Sequence, residues 1–227
     1  YDRVLSMDAV AKNGSTSLYG TIVALSESTL DEDLIVIGTD DGLVQITTNG
    51  GDSWRKVDNI PGAPSQSYVN AVYTSQHNEN VIYVVFNHHK YGDFRPYVFM
   101  TKDNGNTWSS ISSNLPSRGS VYAIEEDHLD PGLIFCGTEF GAFFSPDNGG
   151  TWKELSSGLP TIAVRDIAIQ REMSDLVLGT FGRGFYVLDD YSLLRNIENK
   201  SISQNAMILP TRDAIMWEKA SPLGLPG

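Results

Sequence analysis

The sequence predicts an all-β protein made of β-propeller blades, each of four antiparallel strands. Three observations carry that expectation. The pattern Ser/Thr-x-Asp/Asn-x-Gly-x-Ser/Thr-Trp occurs as TTNGGDSW at residues 47–54, TKDNGNTW at 101–108 and SPDNGGTW at 145–152. These octads start 54 and 44 residues apart, close to the repeat of about 40–50 residues found in propeller blades. Each octad also follows the same series of short apolar runs, rich in Val, Ile, Tyr and Phe and bounded by Gly, Asn, Asp and Pro. That is the composition of strands joined by turns, not of helices.

The strands can be taken in order. The first unit reads TIVALS, LIVIGT and LVQIT, then its octad and WRKV. The second reads YVNAVYT, VIYVVF, YVFMT and WSSI, and the third VYAIEE, LIFCGT, AFFSP and WKEL. A fourth unit begins with VRDIAIQ, LVLGT and FYVLD and departs at DYSLLRN, with neither octad nor tryptophan. The expected organisation is therefore four blades over residues 20–190. The segment 1–19 is expected to complete a blade, with a strand donated by residues 1–10. Residues 191–227, of mixed polarity with Pro and Gly near the end, are read as a strap or linker towards a further domain. The chain starts at Tyr1 and ends at SPLGLPG, and it is read as part of a larger protein whose remaining sequence completes the propeller.

Composition narrows the function. The 227 residues carry 16 basic and 28 acidic side chains, a net charge of −12. Nucleic acid and anionic membranes need clustered Lys and Arg, so neither is the expected partner. No apolar run approaches the roughly 20 residues of a spanning helix. Cys136 is the single cysteine, which excludes a disulfide framework; within LIFCG it reads as a small buried hydrophobe.

The octads resemble Asp-boxes, the bacterial-neuraminidase-type repeats of sialidases, sortilin-family receptors and several polysaccharide hydrolases. The fourth unit, LGTFGRGFYVLDDYSLLR, is similar to the end of a propeller in secreted bacterial proteins described as sortilin-like or glycosyl-hydrolase-like. The resemblance covers about residues 20–195. It implies the propeller fold and an extracellular, cell-surface or periplasmic location, while the same blades carry unrelated activities.

Within each octad the residues suit a tight turn between the third and fourth strands. Asn49, Asp103 and Asp147 are expected to accept backbone N–H groups. Gly51, Gly105 and Gly149 supply positive φ, and Trp54, Trp108 and Trp152 bury large rings. Calcium needs more oxygen ligands than each octad converges, so the octads are read as structural and no metal or cofactor is expected.

Function is expected on the opposite face, where the turns between second and third strands meet the links between blades. Those turns are TDDG, NHHKYGDFRP, TEFG and TFGRG, and aligning the units puts Asp40, His88, Glu139 and Phe181 in equivalent places. Asp40, Asp41 and Glu139 are the candidate catalytic carboxylates. His88, His89, Arg95, Arg118, Arg165 and Arg183 are the candidate ligand-binding side chains. Of the adjacent pair His88 and His89, at most one can face a shared ligand. Two readings follow: a module that recognises a glycan or peptide, or part of a glycoside hydrolase, which needs paired carboxyl groups. The resemblance to sialidases would require a Phe-Arg-Ile-Pro string. The nearest here is FRPY at residues 94–97, so sialidase activity is not expected.

Overall fold

The computed structural model describes residues 20–57 and 59–197. The strand expected at residues 1–10 and the strap beyond residue 197 lie outside them. The chain forms four antiparallel sheets, each built from consecutive strands. The first holds β1 (Ile22–Glu27), β2 (Leu34–Thr39), β3 (Val44–Thr48) and β4 (Arg55–Lys56). The second holds β5 (Tyr68–Thr74), β6 (Ile82–His88), β7 (Asp93–Thr101) and β8 (Ser109–Ser110). The third holds β9 (Val121–Glu126), β10 (Ile134–Thr138), β11 (Gly141–Ser145) and β12 (Lys153–Glu154). Among the described residues the fourth holds β13 (Val164–Gln170), β14 (Asp175–Thr180) and β15 (Phe185–Leu188), after which the chain turns into a 3-10 helix at Tyr191–Asn196. This is a set of β-propeller blades, with the first strands of successive blades brought together along the axis.

Blade packing follows from strand alternation, since the two middle sheets bury both faces against neighbours and the outer two bury one each. Leu34, Val36 and Ile46 of the first blade share one core with Val72, Val84 and Trp108 of the second. Val85 and Met100 of the second blade meet Ile124, Cys136 and Trp152 of the third. Phe135 and Phe144 of the third meet Ile167, Leu178 and Tyr191. Cys136 is fully buried and its burial raises the thiol pKa, consistent with a packing role. The Gly-Thr ends of the second strands also have a steric reason. A Cβ at Gly137 would lie 2.7 Å from the Val164 carbonyl oxygen of the next blade, so only glycine lets these strands approach so closely.

The three octads make one turn three times. The leading hydroxyls of Thr47, Thr101 and Ser145 donate to Asn49, Asp103 and Asp147 at 2.8, 2.7 and 2.7 Å. The same hydroxyls accept the N–H of Gly51, Gly105 and Gly149 at 3.0, 2.9 and 2.8 Å. The acid or amide oxygen in turn accepts the backbone N–H four residues on, from Ser53, Thr107 and Thr151. Gly149 sits at φ +84, and a Cβ there would lie 2.6 Å from Ile111 of the preceding blade, so both backbone and packing demand glycine.

Trp54 departs from expectation. Trp108 and Trp152 are 8% and 2% exposed, while Trp54 is 39% exposed. Each octad tryptophan packs on the blade before its own, and none precedes the first blade among the described residues. The register shows the same edge. Val69, Val121 and Val164 are 0% exposed, whereas Ile22, at the equivalent position in β1, is 55% exposed. The far end mirrors it, with Phe185 and Val187 at 79% and 54%, against 0% and 7% for their third-blade equivalents Ala142 and Phe144. Among the described residues the four blades thus form an arc with an apolar face open at either end.

On the face that carries the octads, carboxylates tie blades together. Glu126 is 1% exposed and accepts from Ser75 Oγ at 2.8 Å, the Gln76 N–H at 2.8 Å and the Tyr83 hydroxyl at 3.2 Å. Beside it, Glu125 accepts from the Tyr73 hydroxyl at 3.2 Å. Burial pushes the Glu125 carboxyl up from 4.5 to about 7, against the Tyr73 hydrogen bond and the Arg171 charge. Because the folded pKa is raised, the fold holds a proton that the unfolded chain releases. Stability from this group is full below about pH 4.5 and falls as pH rises through 7. Glu125→Gln should remove that decline and raise stability at pH 8 by about 1–3 kcal/mol. Urea midpoints at pH 4.5, 6 and 8 test it; an unchanged slope in the variant would refute the assignment.

Candidate functional site at the axial mouth

On the face opposite the octads, the inner strands share a local defect that aims side chains at the axis. In each blade two residues of the first strand span one step of the second. The pairings run Ile22↔Thr39 then Ala24↔Gly38, and Val69↔Phe86 then Ala71↔Val85. The same shift occurs at Val121/Ala123 and at Val164/Asp166. The extra residues are Val23, Asn70, Tyr122 and Arg165, one bulge per blade. Bulges bend a strand and redirect a side chain, and three of these four line the mouth.

That mouth is a concavity of about 440 Å³, walled by Tyr68, Asn70, Asn87, His89 and Lys90 of the second blade, Tyr122 of the third and Arg165 of the fourth. Asn87 is 4% exposed. Its Nδ2 donates to Asn70 Oδ1 at 2.6 Å, and Asn70 Nδ2 donates to the Val121 carbonyl at 2.5 Å. This chain fixes both amides, since turning Asn87 over would set two oxygens against each other. Asn87 Oδ1 is then a buried acceptor with no hydrogen-bond partner, in a wall where such an atom needs one. The Arg165 guanidinium rests 3.7 Å from the centroid of Tyr122 and 5.3 Å from that of Phe181. Lys90 Nζ stands 5.8 Å from the Tyr68 ring. Burial raises the Tyr122 hydroxyl pKa, Arg165 lowers it and the charge of Glu139 raises it, which puts Glu139 near the rim.

Of the candidates read from sequence, His89 and Arg165 line the concavity. His88 does not; its Nδ1 pairs with Ser67 Oγ at 2.9 Å and its ring stacks on Tyr91 at 4.4 Å. The register corrects the alignment of the turns: Asn87, paired with Tyr68, is the true equivalent of Asp40, Glu139 and Phe181. The long second-blade turn lacks a Gly-Thr marker, so its frame reads one residue late from sequence alone. Arg95 donates to Asp93 at 3.0 and 2.7 Å within its own hairpin. Arg118 lies over Phe94 at 5.3 Å. Arg183 is exposed in the turn between β14 and β15.

The carboxylates are held differently from one another. Asp40 Oδ1 accepts the N–H groups of Gly20 and Thr21 at 2.8 and 3.0 Å, and Asp41 accepts the Thr39 hydroxyl at 2.5 Å. Asp41 serves its own turn, and Asp40 ties that turn to the segment leading into β1. Glu139 is half-buried at the rim of a blade separated from theirs by a whole blade. Among the described residues no three His, Cys, Asp or Glu side chains gather to hold a metal, and no helix is long and apolar enough to cross a membrane. Sequence reasoning passed over Tyr68, Asn70, Asn87, Lys90 and Tyr122. A signal existed: in IVA, VNA, VYA and VRD the middle residue varies while its frame repeats.

Fold and mouth together define a β-propeller with a polar, aromatic axial concavity. Residues 7–195 match the DUF6242 beta propeller domain, and the chain belongs to that family. No curated protein sequence matches it. Among solved structures, YCF48 bound to a D1 peptide superposes with a TM-score of 0.57 at 20% identity, over 75% of this chain and 52% of that one. An ancestral GH74 enzyme gives a TM-score of 0.61 at 18% identity, over 76% and 25%. The GH74 xyloglucanase from Xanthomonas campestris gives 0.56 at 13%, over 70% and 26%. At these identities the likeness is one of fold. The chain spans about half of the YCF48 chain and a quarter of the GH74 chains.

Proposed function

We propose that this chain is the recognition segment of a larger secreted or surface-exposed propeller whose axial mouth binds a glycan or a peptide. The observation that carries the reading is the Asn87–Asn70 amide pair, which leaves a buried acceptor without a hydrogen-bond partner in the wall of a concavity formed by three blades. Polar groups converging in a concavity on a rigid scaffold are what a binding site requires. In this reading the octads are Asp-boxes that stiffen the scaffold, and further blades cover the two open apolar faces. The YCF48 structure holds a peptide on a similar fold. The GH74 likeness favours hydrolysis as the second reading, with Glu139 at the rim as its one unspent carboxylate. Recognition is preferred because Asp40 and Asp41 are engaged in turns, and hydrolysis needs two carboxyl groups about 5–9.5 Å apart.

The test uses the full-length protein against panels of polysaccharides and peptides, measuring binding and release of reducing ends. Asn87→Ala should weaken binding by about tenfold, the loss of one buried hydrogen bond. Glu139→Gln should leave binding intact. Turnover that disappears in Glu139→Gln would reverse the preference, and binding untouched by Asn87→Ala would remove the mouth as the site.

A further inference from the structure

Resting on that reading, we propose that the axial mouth selects a carboxylated sugar, a hexuronate-bearing glycan, with Arg165 taking the carboxylate and Asn87 Oδ1 taking a ring hydroxyl. The first argument is charge. The chain is strongly acidic, at −12, yet among the described residues the wall of this concavity holds His89, Lys90 and Arg165 and neither Asp nor Glu. A local inversion of sign in a concavity raises the local concentration of anions. Glu139 remains outside the wall on the rim.

The second argument is the state of the guanidinium. Arg95 and Arg195 are each paired with a carboxylate. Arg165 has an aromatic partner instead, its plane against Tyr122 with Phe181 beyond. Stacking fixes the side chain without using its in-plane N–H donors, which leaves the planar fork that suits a bidentate carboxylate.

The third argument is the acceptor. Asn87 Oδ1 would repel an anion, so the ligand must also bring a donor. A hexuronate has both, hydroxyls that donate and a carboxylate that accepts, carried on one compact ring. The concavity holds about 440 Å³, and its wall sets side-chain amides beside the rings of Tyr68 and Tyr122. A peptide terminus also carries a carboxylate, but it offers those tyrosines a ring only where its last residue is aromatic or proline.

Binding to the full-length protein is measured for tetragalacturonate, its methyl ester, a hyaluronan tetrasaccharide, sialyllactose, cellotetraose and a tetrapeptide with a free carboxyl terminus. The expected result is binding of one or both uronides, at least about tenfold weaker for the ester and for cellotetraose. Arg165→Gln should bring the acid down to the affinity of the ester and leave the ester unchanged. Arg165→Lys, which keeps charge without the fork, should fall between, and it controls for folding alongside the circular dichroism spectrum. Equal affinity for acid and ester, or an equal loss for both in Arg165→Gln, overturns the carboxylate while leaving recognition at the mouth standing. Preference for sialyllactose or for the tetrapeptide overturns the hexuronate. Binding of a uronide that survives both Asn87→Ala and Arg165→Gln overturns the site itself.

Discussion

Trp152→Ala should lower the unfolding free energy by about 3–5 kcal/mol, Trp108→Ala by nearly as much, and Trp54→Ala by less than about 1 kcal/mol. The three tryptophans close octads of one pattern, so sequence alone predicts similar losses. The structure ranks them by what lies opposite. Trp152 is 2% exposed, sits in the core between the second and third blades, and donates its indole N–H to the Ile111 carbonyl at 2.7 Å. Truncation there removes a large buried ring, opens a cavity between blades and leaves the Ile111 carbonyl without its donor. Trp108, 8% exposed, fills the core between the first and second blades but donates at 3.2 Å to Gly105 within its own octad. Its loss therefore costs packing more than a link between blades. Trp54 is 39% exposed and adds little to the described blades. Denaturation of the three variants separates the possibilities, and losses below about 1 kcal/mol at both Trp108 and Trp152 would contradict the rule that each ring packs on the preceding blade. A large loss at Trp54 in the full-length protein would itself report a blade covering it.

The same distinction explains how far the sequence could be read. The octads and the strands are legible because local chemistry fixes them. A hydroxyl, an acid or amide and a glycine at set offsets close one another's hydrogen bonds, whatever lies across the interface. Trp54 marks the limit, because burial is a property of the neighbour, and the octad carries no trace of it. The mouth was half legible. Arg165 and His89 were found as charged residues in the right links, but Asn70 and Tyr122 stood inside runs that read as ordinary alternating strands. A bulge has no composition of its own; it is visible only in the pairing, where two residues span one step of the partner strand. Asn87 shows the cost most clearly. Without a Gly-Thr marker at the end of β6, the turn was framed on His88, and the imidazole that looked chemical proves to be stacked on Tyr91. The carboxamide one residue earlier carries the open acceptor.

Asp127→Ala should cost about 3–5 kcal/mol, the usual penalty for breaking a buried pair by removing one member. The Asp127 side chain is fully buried and that of Arg195 is 17% exposed. The guanidinium donates twice to the carboxylate, from Nε to Oδ2 and from Nη2 to Oδ1, both at 2.8 Å. The Tyr191 hydroxyl donates to the same group, and the Asp130 and Leu129 N–H groups donate at 2.7 and 3.2 Å. One carboxylate thus closes a loop of the third blade and docks the 3-10 helix that follows the fourth, with Tyr191 set edge-on to Phe135 at 5.1 Å. Alanine leaves Arg195 charged, the Tyr191 hydroxyl without its carboxylate acceptor and the loop uncapped. Burial alone would raise the carboxyl, but Arg195, Tyr191 and the Asp130 N–H outweigh it and hold the pKa at about 2. A depressed folded pKa means that the stabilisation is present above the ordinary 3.8 and disappears as pH falls towards 2. Asp127→Asn keeps the loop acceptor and loses the charge, so it should fall between wild type and alanine near neutral pH and converge on wild type in acid. Pairing Asp127→Ala with Arg195→Met should recover part of the loss, because the stranded charge goes with its partner. Additive losses in that double variant would mean that the clasp contributes through its separate hydrogen bonds, and that the ion pair does not hold the 3-10 helix on the third blade.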